Sequence, residues 1–298
     1  MNIRQITKAV IPAAGFGTRF LPQTKAMPKE MLPLVDKPII QYVVENLVHA
    51  GIKDIIIVTG YHKRSIEDHF DNPSKDLIEN LKNSKKERQL KELEEISNLA
   101  NFVYIRQKGP YGNGTPLLLV KNLIKDEPFI YTWSDDMIPA EPNEFKQLIA
   151  VYNEFGCSVL ASVKALDDDD YNRWGFAGGK QIREGLIDIE NIIEKPGKEA
   201  SPSDLGNVSS FLFTPDIFKY IDKAYKNLKQ GQEFYYNDPL KLMLAAGKRV
   251  LAAEIKGGRF LDTGNKLEYM KAVTEFGLKH KEVGEKYKEF LINLVKNF

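Results

Sequence analysis

Short apolar runs alternate with amphipathic segments along the first half of the chain. Five runs have the length of buried strands, and they cover residues 9–12, 55–59, 102–106, 129–132 and 158–163. Between the first four runs the apolar positions follow a helical period, most clearly at residues 39–50, before Gly51. This alternation predicts a Rossmann-like, three-layer α/β/α fold in which helices cover both faces of a mostly parallel sheet. Ligands of such sheets bind at the carboxyl ends of the strands.

Three further segments predict helices, loops and turns outside the parallel sheet. Residues 75–98 are charge-rich with leucines at helical spacing, which predicts a solvated helix or helical hairpin over one edge of the sheet. Four consecutive aspartates at residues 167–170 predict a solvated loop and not a metal site. Residues 174–179 predict a strand with a tight turn.

The last segment, residues 266–298, is predicted to be helical. Its apolar stripe includes the large side chains of Phe276, Tyr287, Phe290 and Phe298. Such a stripe must pack either on the parent domain or on a second subunit. The pattern therefore divides the chain into a main domain, residues 1–265, and a C-terminal helical segment, residues 266–298.

The composition limits the partners and the compartment of the protein. Hydrophobic residues make up 43% and charged residues 28% of the chain, which is typical of a globular protein. The net charge of +1 gives no electrostatic reason to expect a nucleic-acid partner, so any anion site must be local. Cys157, the single cysteine, fits a reducing compartment as a buried, inert thiol. Without a signal-peptide pattern or a long uncharged run, we expect a cytoplasmic protein with no membrane partner.

The most informative local feature is a glycine-rich segment directly after the first apolar run. It reads Ala13-Ala14-Gly15-Phe16-Gly17-Thr18-Arg19, and Pro28-Lys29 follows it. Backbone N–H groups of such a turn can approach phosphate oxygens, and Arg19 and Lys29 add positive charge. The combination predicts a nucleoside triphosphate site, although a plain strand-to-helix turn is the alternative for the glycines alone. The segment lacks the Lys-Ser/Thr pair of a Walker A loop and the third glycine of a dinucleotide fingerprint.

Acidic residues supply candidate ligands for a cation that would accompany a triphosphate. Asp135 and Asp136 follow the strand at residues 129–132, and Mg²⁺ prefers carboxylates together with phosphates and waters. Because neighbouring residues on an extended chain point to opposite faces, we expect only one of these two acids to face the site. Asp262 precedes the last helical segment, where a turn aspartate near a helix N-terminus is the alternative role.

From Gly15 to Pro33 the chain resembles the signature of the sugar-nucleotide pyrophosphorylases, Gly-x-Gly-Thr-Arg-x-x-Pro-x-Thr-x-x-x-Pro-Lys-x-Met-Leu-Pro. Later segments resemble the family in the same order, and the bacterial UTP–glucose-1-phosphate uridylyltransferases are the most similar group within it. The resemblance implies an Mg²⁺-dependent nucleotidyltransferase that converts UTP and glucose 1-phosphate to UDP-glucose and pyrophosphate, as a homodimer or homotetramer. It also implies a nucleotide-binding half at about residues 1–140 and a smaller sugar-binding half at about residues 141–265.

The resemblance also assigns roles to individual residues. Arg19 and Lys29 would hold the triphosphate, Lys195 would hold the sugar phosphate, and Asp135 with Asp262 would bind the metal. The implied binding residues are, for the nucleotide, Ala13, Ala14, Gly15, Gly17, Thr18, Gln107 and Gly112, and, for the sugar, Gly175, Glu194 and Lys195. The Gln107 amide has the donor and the acceptor needed to pair with the edge of uracil.

The chain also departs from the family pattern near these positions. The departures are Thr115 and Pro116 for His-Ala, Trp133-Ser134 before Asp135, Trp174 for Tyr, Asp204 for Asn and Ser209 for Gly. They leave another hexose 1-phosphate, or a thymidylyltransferase, as alternatives, although the shorter thymidylyl type lacks the segment at residues 75–98. A non-catalytic paralogue that binds sugar nucleotides is an alternative of another class. The four histidines, His49, His62, His69 and His280, show no catalytic pairing.

Overall fold

The structure is a computed structural model that describes residues 4–297. The strands are β1 Lys8–Ala13, β2 Pro33–Leu34, β3 Lys37–Pro38, β4 Asp54–Thr59, β5 Asn101–Arg106, β6 Phe129–Thr132, β7 Asp136–Met137, β8 Ser158–Lys164, β9 Gly175–Arg183, β10 Leu186–Glu194, β11 Leu205–Phe213, β12 Val250–Glu254 and β13 Leu261–Asp262. The helices are α1 Ile39–His49, α2 Arg64–Phe70, α3 Lys75–Asn83, α4 Glu87–Ser97, α5 Thr115–Ile124, α6 Glu144–Phe155, α7 Asp168–Arg173, α8 Ile217–Lys226, α9 Asn237–Ala245, α10 Lys266–Lys279 and α11 Gly284–Val295.

Nine strands form one mixed sheet in the order β5-β4-β1-β6-β11-β8-β12-β10-β9. The first four strands are parallel, so their carboxyl ends meet at one edge of the sheet. Strand β11 runs antiparallel between β6 and β8 and connects the two halves of the sheet. The start of β9 also pairs with β11, through Gly206 opposite Phe176 and Asn207 opposite Gly175. The predicted three-layer fold with a mostly parallel sheet is confirmed.

Two apolar cores cover the two faces of the sheet. Strand β1 alternates between them, because Ala9 and Ile11 lie in one core and Val10 lies in the other. Helices α1 and α6 pack in the first core, and α5, α8 and α9 pack in the second. The first two residues of α5 are Thr115 and Pro116, and proline is tolerated there because the first turn needs no N–H donor. Among the described residues, no helix has the length and apolar character to cross a bilayer.

The polar segments around the sheet differ in part from the sequence predictions. Residues 75–98 form a helical hairpin, α3 and α4, as one of the two predicted forms. Asp167, Asp168 and Asp169 are exposed, as predicted, but they begin a helix and do not form a loop. Asp167 caps α7, accepting hydrogen bonds from the backbone N–H groups of Asp169 and Asp170 at 3.0 and 3.1 Å. The helix start was missed because an N-cap followed by an acidic first turn has the same sequence pattern as any run of charged residues.

The tight turn predicted within residues 174–179 is also wrong. This segment continues straight into β9, and the chain turns later, at Glu184-Gly185 between β9 and β10. Gly179 instead lies at a β-bulge with a φ of +156°, where a Cβ would approach the Asp188 carbonyl oxygen to 2.0 Å. The glycines therefore mark a close backbone approach within the hairpin.

The C-terminal segment contains two helices, α10 and α11. Helix α10 packs on a small third core, in which Ala272 is buried and Val273 and Phe276 are partly buried. Helix α11 leaves much of its apolar surface exposed, including Phe290 at 56% and Val295 at 72%. Phe298, which we placed on the same stripe, lies outside the described residues.

Candidate active site

A cleft of about 840 Å³ opens at the carboxyl ends of the parallel strands. The glycine loop after β1, Gln107 after β5 and Asp135 after β6 form its first wall. The second wall comes from the β9–β10 hairpin, the middle of β11 and the segment before α9. The cleft therefore lies between the two halves of the sheet, at the edge where such folds bind ligands.

The glycine loop takes a shape that its two glycines permit. Gly17 has a φ of +64° and directly precedes the short 3₁₀-helix Thr18–Phe20. The Gly17 carbonyl oxygen accepts a hydrogen bond from Thr24 Oγ1 at 2.7 Å, which ties the loop to the next turn. Ala14 and Gly15 line the cleft, whereas Gly17 packs against Thr24 and Lys29 and shapes the loop from behind.

Lys29 joins this loop to the end of β6. Its Nζ lies 2.6 Å from Asp135 Oδ2, and Asp135 is only 6% exposed. Burial lowers the pKa of Lys29, but the negative charges of Asp135 and Glu30 outweigh this effect and leave the pKa above its ordinary value. Lys29 is therefore a fixed positive charge at the floor of the cleft.

A second ion pair supports Lys29 from below. Glu30 is fully buried, and its Oε2 lies 2.6 Å from Lys63 Nζ, which is 6% exposed. The other carboxylate oxygen, Oε1, has no hydrogen-bond partner among the described residues. Burial raises the pKa of Glu30, while Lys63 and Lys29 lower it in part. The pair holds the Lys29 backbone against the start of α2.

Three carboxylates meet beside Lys29. Strand β13 pairs with β7 so that Asp262 lies opposite Asp136, next to Asp135. A Cβ added to Gly264 would lie 3.0 Å from Asp135 Oδ2 and 3.1 Å from Asp262 Oδ1, so both oxygens approach the same point. Burial raises the pKa of Asp136 well above its usual range, and the charges of Asp135 and Asp262 raise it further.

Basic side chains flank these acids. Arg173, at the end of α7, places Nη2 3.2 Å from Asp262 Oδ2, and Arg19 Nη1 donates to the Gly264 carbonyl oxygen at 3.4 Å. The Thr263 N–H donates to the Asp135 carbonyl oxygen at 3.2 Å, which fixes the two acidic segments to each other. The arrangement brings basic and acidic side chains together in this part of the cleft.

The β9–β10 hairpin and the turn after it contribute polar groups to the second wall of the cleft. Gly175 leaves room for Glu194, because a Cβ there would lie 2.8 Å from Glu194 Oε1. The same oxygen accepts a hydrogen bond from Asn237 Nδ2 at 2.7 Å. Lys195 follows with a φ of +48°, and its N–H donates to the Trp174 carbonyl oxygen at 2.9 Å. The turn thus presents an oriented carboxylate and an amine side by side.

Close backbone contacts build the wall near Gln107. The Gln107 N–H donates to the Thr59 carbonyl oxygen at 2.7 Å, which extends the β5–β4 pairing by one step. Gly112 has a φ of +113°, and a Cβ there would lie 2.2 Å from the Phe234 carbonyl oxygen. The glycine therefore lets the segment before α9 pack closely against the wall of the cleft that contains Gln107.

A buried polar cluster lies behind β11. Ser209 has a φ of +60° within an irregular part of this strand, and its Oγ donates to Glu144 Oε2 at 3.2 Å. Ser210 Oγ donates to the same oxygen at 3.0 Å. Burial raises the pKa of Glu144 to about 7, while its hydrogen bonds from the two serines act in the opposite direction. Ser209, a departure from the family pattern, thus has a bonded partner for its hydroxyl.

Most of the predicted site residues line this one cleft. They are Ala14, Gly15, Arg19, Lys29, Gln107, Gly112, Asp135, Gly175, Glu194, Lys195 and Asp262. Ala13, Gly17 and Thr18 do not line it, since Ala13 is buried in the sheet and the other two shape the loop. The prediction that only one of the two adjacent aspartates would face the site is wrong, because Asp135 and Asp136 both line the cleft where the chain leaves β6.

Sequence reasoning missed several residues of the site. Arg173, Asn207, Tyr236 and Asn237 line the cleft, and Glu30 with Lys63 supports it. Arg173 could have been identified from the sequence, because it is a basic residue that follows the aspartate run and directly precedes Trp174-Gly175. No local signal marks Glu144 or Asn237, since their partners lie 65 and 43 positions away.

Known proteins are similar to this chain in sequence and in fold. The family model described as nucleotidyl transferase matches residues 8–277. UTP–glucose-1-phosphate uridylyltransferases of Staphylococcus epidermidis and Bacillus subtilis are each 40% identical to the chain, over 98% of its length and over 99% and 98% of theirs. A UTP-bound UGPase from Acinetobacter baumannii is 32% identical, with a TM-score of 0.86, and covers 97% of this chain and 100% of its own. A UDP-glucose pyrophosphorylase complexed with UDP-glucose is 36% identical, with a TM-score of 0.80 over 93% and 100% of the two chains.

Proposed function

Because the chain belongs to the nucleotidyl transferase family, we propose that it transfers the uridylyl group of UTP to glucose 1-phosphate. The products are UDP-glucose and pyrophosphate. The observation that carries the proposal is the single cleft that collects Arg19, Lys29, Asp135, Lys195 and Asp262 between the two halves of the sheet. Relatives of nearly equal length bear the name of this activity and support the same substrates.

The residues of the cleft suit an in-line phosphoryl transfer. An oxygen of the sugar phosphate attacks the α-phosphorus of the nucleotide, and pyrophosphate leaves from the opposite side. Because both reactants are anions, the protein must supply positive charge and alignment, and it needs no nucleophile of its own. Arg19 and Lys29 hold the triphosphate beside the glycine loop. Lys195 holds the sugar phosphate.

The sugar and the base have matching polar groups in the cleft. Glu194, fixed by Asn237 at 2.7 Å, accepts hydrogen bonds from sugar hydroxyls. Gln107 offers its amide to the uracil edge from the end of β5. The exposed rings of Phe16 and Tyr111, with centroids 5.4 Å apart, line the same wall as the glycine loop and Gln107 and offer aromatic surface to a base.

A divalent cation, Mg²⁺ by its chemistry, fits between Asp135 and Asp262. Asp135 Oδ2 and Asp262 Oδ1 both border Gly264, at 3.0 and 3.1 Å from the position that a Cβ of this residue would take. The protein therefore offers two carboxylates and leaves the other positions to phosphates and water, which is the usual Mg²⁺ arrangement with nucleotides. When bound, the cation would neutralise phosphate charge as the leaving group departs.

Assembly and location complete the proposal. The exposed apolar side chains of α11 support a homodimer or homotetramer built through this helix. The single cysteine, Cys157, is buried, and burial raises the pKa of its thiol to about 11, which fits the inert thiol of a cytoplasmic protein.

The experiment that tests the activity measures pyrophosphate release from the purified protein. UTP, dTTP, CTP and ATP are each combined with glucose 1-phosphate, galactose 1-phosphate and mannose 1-phosphate in the presence of Mg²⁺. The proposal expects the highest kcat/KM for UTP with glucose 1-phosphate. A preference for dTTP would identify a thymidylyltransferase. No pyrophosphate release with any pair of substrates would indicate a non-catalytic protein that binds sugar nucleotides.

A further inference from the structure

Arg173 holds a position between the metal-binding carboxylates and the sugar-binding turn. It is the last residue of α7, the short helix that Asp167 caps. Its Nη2 lies 3.2 Å from Asp262 Oδ2, and its Nη1 lies 3.7 Å from Asp169 Oδ2 on the preceding turn. The side chains of Arg173 and Asp262 are 29% and 22% exposed, and both line the cleft. The guanidinium is thus partly screened from water and open to a ligand.

The backbone connects Arg173 to the lysine that we assign to the sugar phosphate. The Trp174 carbonyl oxygen, next to Arg173, accepts the N–H of Lys195 at 2.9 Å. The N–H of Gly197 donates to the Tyr171 carbonyl oxygen at 3.2 Å. The end of α7 and the Glu194–Lys195 turn are therefore held together, and Arg173 and Lys195 both line the cleft.

The charges explain why Arg173 binds Asp262 in this structure. Lys29 compensates Asp135, and Arg173 compensates Asp262, so each of the two converging carboxylates has its own cationic side chain. A divalent cation between the two carboxylates would take over the compensation of Asp262. The guanidinium donors that now face Asp262 would then be available for the oxygens of a phosphate, while Asp169 still lies near Nη1.

We propose that Arg173 is a second phosphate-binding residue on the sugar side, held by Asp262 until the divalent cation binds. Arg173 and the cation therefore compete for Asp262. Once the cation is bound, Arg173 and Lys195 together bind the phosphate of the sugar substrate. The proposal rests on the proposed uridylyl transfer for the identity of that phosphate. In this proposal, binding of the cation frees Arg173, at the end of α7, to bind the sugar phosphate.

The test compares Arg173→Gln and Arg173→Lys with the native protein and with a control, Arg64→Gln. Arg64 also pairs with an aspartate on its own helix, Asp68 at 3.5 Å, but is 84% exposed on α2 and does not line the cleft. Two binding measurements that need no turnover are made: Mn²⁺ binding by electron paramagnetic resonance, and UDP-glucose binding by calorimetry with Mn²⁺ present. Thermal unfolding is followed for every variant.

The proposal expects the two affinities of Arg173→Gln to change in opposite directions. Mn²⁺ binds about threefold tighter or more, because a competing cation is gone. UDP-glucose binds about tenfold weaker or more, because a charged hydrogen bond to its phosphate is lost. In kinetic assays the KM for glucose 1-phosphate rises while the KM for UTP stays the same. Arg173→Lys recovers part of the UDP-glucose affinity, since it keeps the charge without the fork of donors.

Two results would overturn the proposal. If both affinities weaken together and the melting temperature falls, Arg173 has only a structural role at the end of α7. If neither affinity changes, Arg173 does not contact either ligand. Failure of the proposed function is seen separately, because a native protein without turnover of any sugar 1-phosphate would still give the two binding results.

Discussion

Lys29 Nζ and Asp135 Oδ2 lie 2.6 Å apart, although the two residues are 106 positions apart in sequence. This contact joins the glycine loop after β1 to the acidic segment after β6. It therefore places the proposed triphosphate-binding charge and the proposed metal ligand in one fixed arrangement before any substrate binds. Such pre-organisation lowers the cost of aligning the reactants.

The first prediction follows from this pair. Asp135→Asn removes a carboxylate at the point where the cation must meet the phosphates, and kcat should fall by about a hundredfold or more. Far-UV circular dichroism should stay unchanged, because asparagine has nearly the same size. Asp68→Asn, on the exposed face of α2, is the control and should retain full activity. Native turnover in Asp135→Asn, or full activity of the native protein in excess chelator, would contradict the metal assignment.

The second prediction concerns base selection. Gln107→Ala should weaken UTP binding by roughly 0.5–3 kcal/mol, because one bonded amide pair is lost while the phosphate contacts remain. The measurement is the Kd of UTP by calorimetry, compared with that of inorganic tripolyphosphate, which has no base. Tripolyphosphate binding should be unaffected by the change. Equal use of UTP and CTP by the native enzyme would show that Gln107 does not select the base.

The third prediction concerns the contact between Gly112 and Phe234. Gly112→Ala should lower both stability and activity, because its Cβ would lie 2.2 Å from the Phe234 carbonyl oxygen and push away the segment that carries Tyr236. Gly51→Ala is a matched control, since Gly51 also has a positive φ, +97°, but no atom within 4 Å of the added Cβ. The control should show only the backbone strain, about 1 kcal/mol of unfolding free energy. Equal melting temperatures for the two variants would show that the close contact at Gly112 does not affect stability.

The fourth prediction is a pH dependence of stability from Glu144. Its folded-state pKa, about 7, is above the ordinary 4.5, so the folded protein holds a proton that the unfolded chain releases. Glu144 therefore adds about 3 kcal/mol to the free energy of unfolding below about pH 4.5. This contribution is lost as the pH rises to 7 and beyond. Glu144→Gln should remove this loss, so its melting temperature should fall less between pH 5 and pH 8 than that of the native protein.

The control for this prediction is Glu95→Gln, because Glu95 is exposed on α4. Its melting temperature should follow that of the native protein across the same range. Parallel curves for the native protein and Glu144→Gln would mean that Glu144 stays ionised in the folded protein throughout.

The fifth prediction concerns assembly. Deleting residues 283–298 should weaken the oligomer before it harms the active site, because α11 exposes its apolar side chains and lies outside the cleft. Light scattering should give at least a dimer for the native protein and a smaller species for the truncated one, with similar kcat at high protein concentration. A mass of 33.9 kDa for the native protein at micromolar concentration would rule out the proposed oligomer.

The sequence predicted the parts of the fold that depend on local patterns. Strand β6 matches its predicted bounds, and the runs for β1, β4, β5 and β8 differ by one or two residues at their ends. Predictions from local patterns were wrong where the same residue type is common in two kinds of structure. Glycines at 178 and 179 mark a bulge and not a turn, and aspartates at 167–170 begin a helix and not a loop.

The site was predictable where a motif spans consecutive positions, as in the glycine loop. Contacts between distant segments were predictable only for residues that belong to the family motifs, such as Asp135 and Asp262, and not for the others. Arg173 reaches Asp262 across 89 positions, and the pairing of β13 with β7 that places Asp262 there involves only two residues on each strand. Neither interaction leaves a periodic or compositional trace in the sequence. They arise from tertiary packing alone.

The position of β11 has a consequence for synthesis on the ribosome. Strand β6 must lie between β1 and β11, yet β11 ends at Phe213, about 80 residues after β6 has been translated. During that interval the nascent chain carries an unpaired apolar strand edge, which is prone to pair with other chains. We expect the nascent protein to need chaperone protection mainly until β11 has left the ribosome and can pair with β6.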